Sequence, residues 1–252
     1  MRSTVFFGVL PYVALAVFVV GHVWRWRHDQ LGWTTRTSQL LERRWLAWAS
    51  PFFHFGALAV LVGHIVGIVV PAQVTAALGL SEDAYHTVAL VGGLTAGAFM
   101  ATGLVILVVR RLVFRHRLRM VTTRLDWLVY ALLVMVVTLG AHATVLNVPG
   151  TFDYRETVGV WFRSLFVLNP DVELMASAPV LYQLHIGLAF CFVALWPFTR
   201  LVHVWSVPVG YLVRPYVVYR AAGDARAAGA GARVVGAGAQ ASGAGARVVG
   251  AQ

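Results

Sequence analysis

Apolar positions in this chain run together instead of alternating with polar ones. Stretches free of charge extend from about 4 to 23, 48 to 70, 86 to 109, 127 to 147 and 174 to 199. Each is near or above the ~20 residues that a helix needs to cross hydrocarbon. The pattern therefore predicts an all-α membrane protein built as a bundle of five transmembrane helices. The first span starts almost at Met1 and ends in the bulky His22, Val23 and Trp24 instead of a small-residue cleavage site, so it is expected to be retained. Between Pro149 and Pro170 the segment TFDYRETVGVWFRSLF repeats apolar residues at helical intervals around Arg155, Glu156 and Arg163, which predicts a short helix lying on the membrane surface. Residues 1–220 form the transmembrane domain in this reading. From 221 to 252 the chain is mostly Ala and Gly with a few Arg, and GARVVGA occurs at 231–237 and again at 245–251. So little bulk builds no core, and this tail is expected to be disordered.

Composition agrees with the pattern: 59% of residues are hydrophobic and 12% charged, against roughly 25% charged in an ordinary soluble domain. The formal charge of +10 would otherwise point to nucleic acid, but its distribution explains it as topology. All twenty basic residues are Arg; seventeen fall in the loops 25–44 and 110–124 or from Arg200 onward, while Arg2, Arg155 and Arg163 fall on the other side. The positive-inside rule then places the N-terminus outside and the C-terminus in the cytoplasm, as an odd number of spans requires. The one cysteine, Cys191, permits no disulfide within the chain. Without a C-x-x-C-H run no covalent c-type haem is expected, and Cys191 reads as a small packing residue.

Histidine is the informative residue. Of nine, His28 and His116 sit in the arginine-rich loops, His54, His64, His142 and His185 fall within spans, and His22, His86 and His203 fall at span ends. An ionisable side chain is costly in hydrocarbon and marks a candidate site. His142 alone is better read as bonding a helix carbonyl. His54 and His64 stand ten residues apart on the second span, and His185 and His203 eighteen apart on the fifth. On straight helices those intervals are ~15 and ~27 Å, the second being five whole turns. Spans two and five run in opposite directions, so His54 is expected to meet His203 near the cytoplasmic side and His64 to meet His185 near the outer side. The ~12 Å mismatch in rise is assigned to helix tilt and slanting side chains.

An imidazole on either side of an iron between facing helices suits a low-spin, electron-transferring b-type haem. Gly56, Gly63, Gly67 and Gly187 beside the ligands would admit a flat macrocycle. Zinc or a di-iron carboxylate centre fits less well, because neither span carries Asp or Glu. A haem–copper site needs further histidines that His142 alone does not supply.

At these residues the chain resembles the gamma, or cytochrome b, subunit of membrane-bound respiratory nitrate reductase. The resemblance covers about 1–220 and rests on PFFHFGALAVLVGHIVG at 51–67, LYQLHIGLAF at 181–190 and FTRLVHVWSVPVGYL at 198–212, with PYVALAVFVVG at 11–21 and the RR pair at 110–111. It implies two b haems, quinol oxidation on the outer side of a bacterial inner membrane, and electrons passed to cytoplasmic iron–sulfur (beta) and molybdenum-containing (alpha) subunits. The family pattern has a lysine just ahead of the third span; this chain has no lysine there but Ala84, Tyr85 and His86, so His86 is the candidate contact for quinol. Two alternatives are a cytochrome b subunit of another quinone-linked complex (sulfite-, heterodisulfide- or hydrogenase-type) and a channel or transporter. The latter should show repeats, broken helices or a charged path.

Overall fold

A computed structural model describes residues 2–29, 38 and 41–206. The tail 221–252 expected to be disordered lies outside them. The described residues form helices and connecting turns, with no strand among them. In chain order these are α1 (Thr4–His28, its first turns π-helical), α2 (Arg44–Val69, π-helical from Ile65), α3 (Ala72–Ala77), α4 (Glu82–Val113), α5 (Arg115–Leu118), α6 (Arg124–Leu146), α7 (Val158–Phe166), α8 (Val172–Ser177) and α9 (Val180–Leu195). Five are long and apolar enough to cross a membrane: α1, α2, α4, α6, and α9 with its continuation to Phe198. Their outward faces are apolar, with Phe55 72% and Val20 66% exposed. Such surfaces belong in lipid, where each helix satisfies its own backbone.

Local chemistry sets the helix ends. Ser81 caps α4, which begins with Glu82 and Asp83. Thr123 and Asp126 form a reciprocal capping box at the start of α6. Pro71 and Pro179 precede α3 and α9, where a residue without a free N–H costs nothing.

The packed series runs α2 on α4, α4 on α6, α6 on α9 and α9 on α1. The α2–α4 seam is the tightest: a Cβ at Gly56 would lie 2.3 Å from the backbone N of Met100, and one at Gly103 would lie 2.3 Å from the N of Phe53. Only glycine permits that approach. Helix α2, which bears His54 and His64, and α9, which bears His185, are not neighbours in the series.

Three expectations need correction. The apolar run from 174 to 199 is not one helix. It contains the end of α8, a Pro179 cap, α9, a 3-10 turn over Trp196–Phe198 and an extended Thr199 (φ −109°, ψ 178°), after which Arg200–Ser206 is 3-10 helical. His185 and His203 therefore do not stand on one straight helix. The helix in the 149–170 connection exists as α7, but it is no surface element. Val158, Trp161 and Leu165 are buried against Phe7, Met175, Ala178 and Phe190, and the Trp161 indole donates to the Phe7 carbonyl at 2.9 Å. Cys191 is exposed on α9 instead of packed inside.

Candidate functional site

Of the spans' histidines, four come together as two pairs. The rings of His54 and His203 have centroids 6.0 Å apart at an interplanar angle of 74°. Those of His64 and His185 lie 6.1 Å apart at 29°. This pairing requires α2 and α9 to be antiparallel. Two imidazoles binding opposite sides of one metal atom, with metal–nitrogen bonds of about 2 Å, would place their centroids about 6 Å apart.

Each ring is also oriented by its other nitrogen. Nδ1 of His54 donates to the Ser50 carbonyl at 2.7 Å, that of His64 to Val60 at 2.8 Å, that of His185 to Val136 of α6 at 3.0 Å and that of His203 to Arg200 at 2.7 Å. A proton held on Nδ1 leaves the Nε2 lone pair to bind a metal, and a carbonyl acceptor raises the basicity of the ligand. Among the described residues no group of three or more His, Cys, Asp or Glu gathers around one point. Each pair thus offers two imidazole nitrogens, a donor set that would suit a metal held for the rest by a macrocycle.

No neighbour crowds two of the glycines beside these histidines. A Cβ on Gly63 or Gly187 would meet nothing within 4 Å. Gly56 and Gly67, grouped with them in the sequence, do other work: Gly56 seats α4, and a Cβ on Gly67 would lie 3.2 Å from the hydroxyl of Tyr85 and 3.3 Å from the ring of Tyr154. One residue not singled out by sequence is Gly140 on α6. A Cβ there would lie 2.9 Å from Cε1 of His185, so the missing side chain is the space that the imidazole occupies.

The remaining histidines have other partners. Nδ1 of His142 faces the Thr138 carbonyl of its own helix at 3.3 Å. His22 donates to Phe18 at 2.7 Å and accepts from the Trp205 indole at 3.1 Å. His86 lies against the turn after α6, its Nε2 3.4 Å from the Asn147 carbonyl and 3.5 Å from where a Cβ of Gly150 would be. Nearby, Arg155 is buried over the Tyr85 ring at 3.8 Å, pairs with Glu82 at 3.2 Å and donates to Thr75 at 2.7 Å. Burial, reinforced by the Tyr85 hydroxyl, holds the Tyr154 phenol above its ordinary pKa.

The arginine-rich end divides into two sets. Arg25, Arg110, Arg111 and Arg200 are drawn into the protein: Arg110 pairs with Glu42, Arg111 binds Tyr130 and Thr122, and Arg200 grips Asp126. Arg27, Arg43, Arg44, Arg115, Arg117, Arg119 and Arg124 are exposed.

Fold and paired imidazoles together define a multi-pass helical membrane protein with two stacked bis-histidine positions. Comparison with known proteins makes the assignment specific: residues 3–222 match the family model of the nitrate reductase gamma subunit, and the chain belongs to that family. It is 47% identical over 221 residues to the nitrate reductase gamma chain of Bacillus subtilis, covering 87% of this chain and 99% of that one. It is 34% identical over 223 residues to the respiratory nitrate reductase 1 gamma chain of Escherichia coli, covering 86% and 96%. It is also 49% identical over 224 residues to the nitrate reductase-like protein NarX of Mycobacterium tuberculosis, covering 88% of this chain but only 34% of that longer protein. The chain thus spans about a third of that relative's length.

Proposed function

We propose that this chain is the quinol-oxidising cytochrome b subunit of a respiratory nitrate reductase. It holds one b haem between His54 and His203 and a second between His64 and His185. The observation that carries this reading is the repetition of one arrangement at two levels: a ring spacing near 6 Å, with every Nδ1 engaged by a carbonyl. When bound, the haems supply one-electron chemistry between the two faces of the membrane.

The chain's own residues divide the remaining tasks. His86, at the end of the bundle nearer His64 and His185, is the candidate for receiving quinol, and Gly63 and Gly187 leave space beside the ligands for the haem. That end faces outward in this reading, so the two protons of each quinol leave there while its electrons go inward. The exposed arginines of the 25–44 and 110–124 loops would form the dock for an iron–sulfur subunit, behind which a molybdenum subunit reduces nitrate; the segment 204–220, also expected to dock, lies mostly outside the described residues. The four arginines engaged inside the protein are excluded from that dock and act in folding.

The test uses the assembled complex in membranes, measuring quinol-dependent haem reduction and quinol-to-nitrate electron flow, with a reduced viologen dye as a donor that bypasses this subunit. Variants of His64 or His185 are expected to abolish both quinol-driven signals while dye-driven nitrate reduction persists. Quinol-to-nitrate activity that survives loss of either histidine would refute the assignment.

A further inference from the structure

His203 stands on no regular α-helix, yet its ring meets His54 as closely as His185 meets His64. Its placement depends on the break that ends α9. Thr199 bridges the break, its hydroxyl donating to the Trp196 carbonyl at 2.8 Å and accepting from the Leu201 N–H at 3.1 Å. Two charged side chains from other spans hold that break from either side. Arg25 of α1, 8% exposed, donates from one nitrogen to the Pro197 carbonyl at 2.7 Å and to the Thr199 carbonyl at 2.6 Å. These are the carbonyls that an interrupted helix leaves without partners. Asp126 of α6, 6% exposed, takes Nε of Arg200 on one oxygen at 2.7 Å and a terminal nitrogen on the other at 2.5 Å. Arg200 also donates to the Val121 carbonyl at 2.8 Å. The main-chain carbonyl of this same Arg200 accepts from Nδ1 of His203.

We propose that Asp126 and Arg25 are positioning residues for His203, acting through the break and tuning the His54/His203 site alone. The inference rests on the haem reading above. Asp126 clamps Arg200 so that its carbonyl meets Nδ1; Arg25 fixes the turn from which the 3-10 segment departs. The His64/His185 site draws its support from Val60, Val136 and Gly140, so it serves as an internal control for folding.

The experiment compares the full chain with its Asp126→Asn and Arg25→Gln variants in membranes, using His203→Ala to assign the signals of the two haems. Haem content, the low-spin ferric resonance spectrum, the midpoint potential of each haem and carbon monoxide binding after reduction are measured. A bis-histidine haem leaves no position for carbon monoxide, whereas a loosened ligand opens one. Both variants are expected to keep the His64/His185 haem with its potential unchanged. The other haem should bind carbon monoxide, lose low-spin intensity at least twofold and move to a higher potential, and added imidazole should restore its low-spin spectrum. Unaltered spectra and potentials at both haems would overturn the proposal, as would loss of both haems together, which marks a general role in folding. A parent chain that carries no pair of haems would instead overturn the reading beneath it.

Discussion

Gly140 sits where the His185 ring would meet any larger residue, and this fixes what a single methyl group should do. With a Cβ 2.9 Å from Cε1, Gly140→Ala forces the imidazole off its line to His64. Weakening of support around a metal ligand typically lowers affinity on the order of tenfold or more, so the His64/His185 haem is expected to be lost in reduced-minus-oxidised spectra while the His54/His203 haem remains. Equal loss of both, or of neither, would contradict the part assigned to Gly140. The four paired histidines were legible in the sequence, because an ionisable ring within or beside an apolar run stands out. Gly140 was not. A glycine in a span reads the same whether it seats a backbone, as Gly56 does against Met100, or an imidazole. The carbonyl that orients His185 was also hidden, since Val136 lies on a different helix.

At the scale of elements, hydropathy located the five spans but not their interruptions. Val, Leu, Trp and Pro are equally apolar in a helix and in a 3-10 turn, so the run from 174 to 199 concealed Pro179 and Thr199 as boundaries. The α7 segment was legible as a helix from its periodicity, but not its burial, which depends on Phe7 and Phe190 from distant parts of the chain. Truncation of Trp161, which is 1% exposed, is expected to cost about 3–5 kcal/mol of stability, read as a lowered unfolding temperature in detergent. At the other end, Glu42 ties the segment before α2 to Arg110 of α4. Burial pulls its carboxyl upward, but the hydrogen bonds and charge of Arg110, with the backbone N–H of Trp45, outweigh that and hold it below the ordinary glutamate value. A group whose pKa is depressed by folding stabilises above its unfolded value and loses that contribution as pH falls through the folded one. Stability is therefore expected to hold at neutral pH and to decline as pH drops below about 4.3. Glu42→Ala should cost about 3 kcal/mol at neutral pH, since it leaves Arg110 buried without its partner, and should flatten this acid dependence. An unchanged acid limb in Glu42→Ala would show that another carboxylate controls it.

For the whole molecule, the uneven distribution of arginine does two jobs. Seventeen of twenty lie in the loops and tail assigned to one side, which sets the expected orientation, yet Arg25, Arg110, Arg111 and Arg200 turn inward as structural pins. Cysteines introduced at the exposed positions Ala76 and Glu156, in the 70–81 and 147–157 connections, are expected to react with membrane-impermeant reagents from outside. A fluorescent reporter active only in the cytoplasm should be bright when fused after Arg220. The reverse pattern would exchange the roles of the two histidine levels.

Whether two separate haems are held by two specific histidine pairs is tested by the haem-to-protein ratio and reduced spectrum of the full chain beside its four single variants His54→Ala, His64→Ala, His185→Ala and His203→Ala. The expected result is two non-covalent b haems per chain, extractable by acidified acetone, with the His54 and His203 variants lacking one and the His64 and His185 variants lacking the other. One haem per chain, or the loss of a common haem from the His54 and His185 variants, would contradict the pairing and the mechanism built on it.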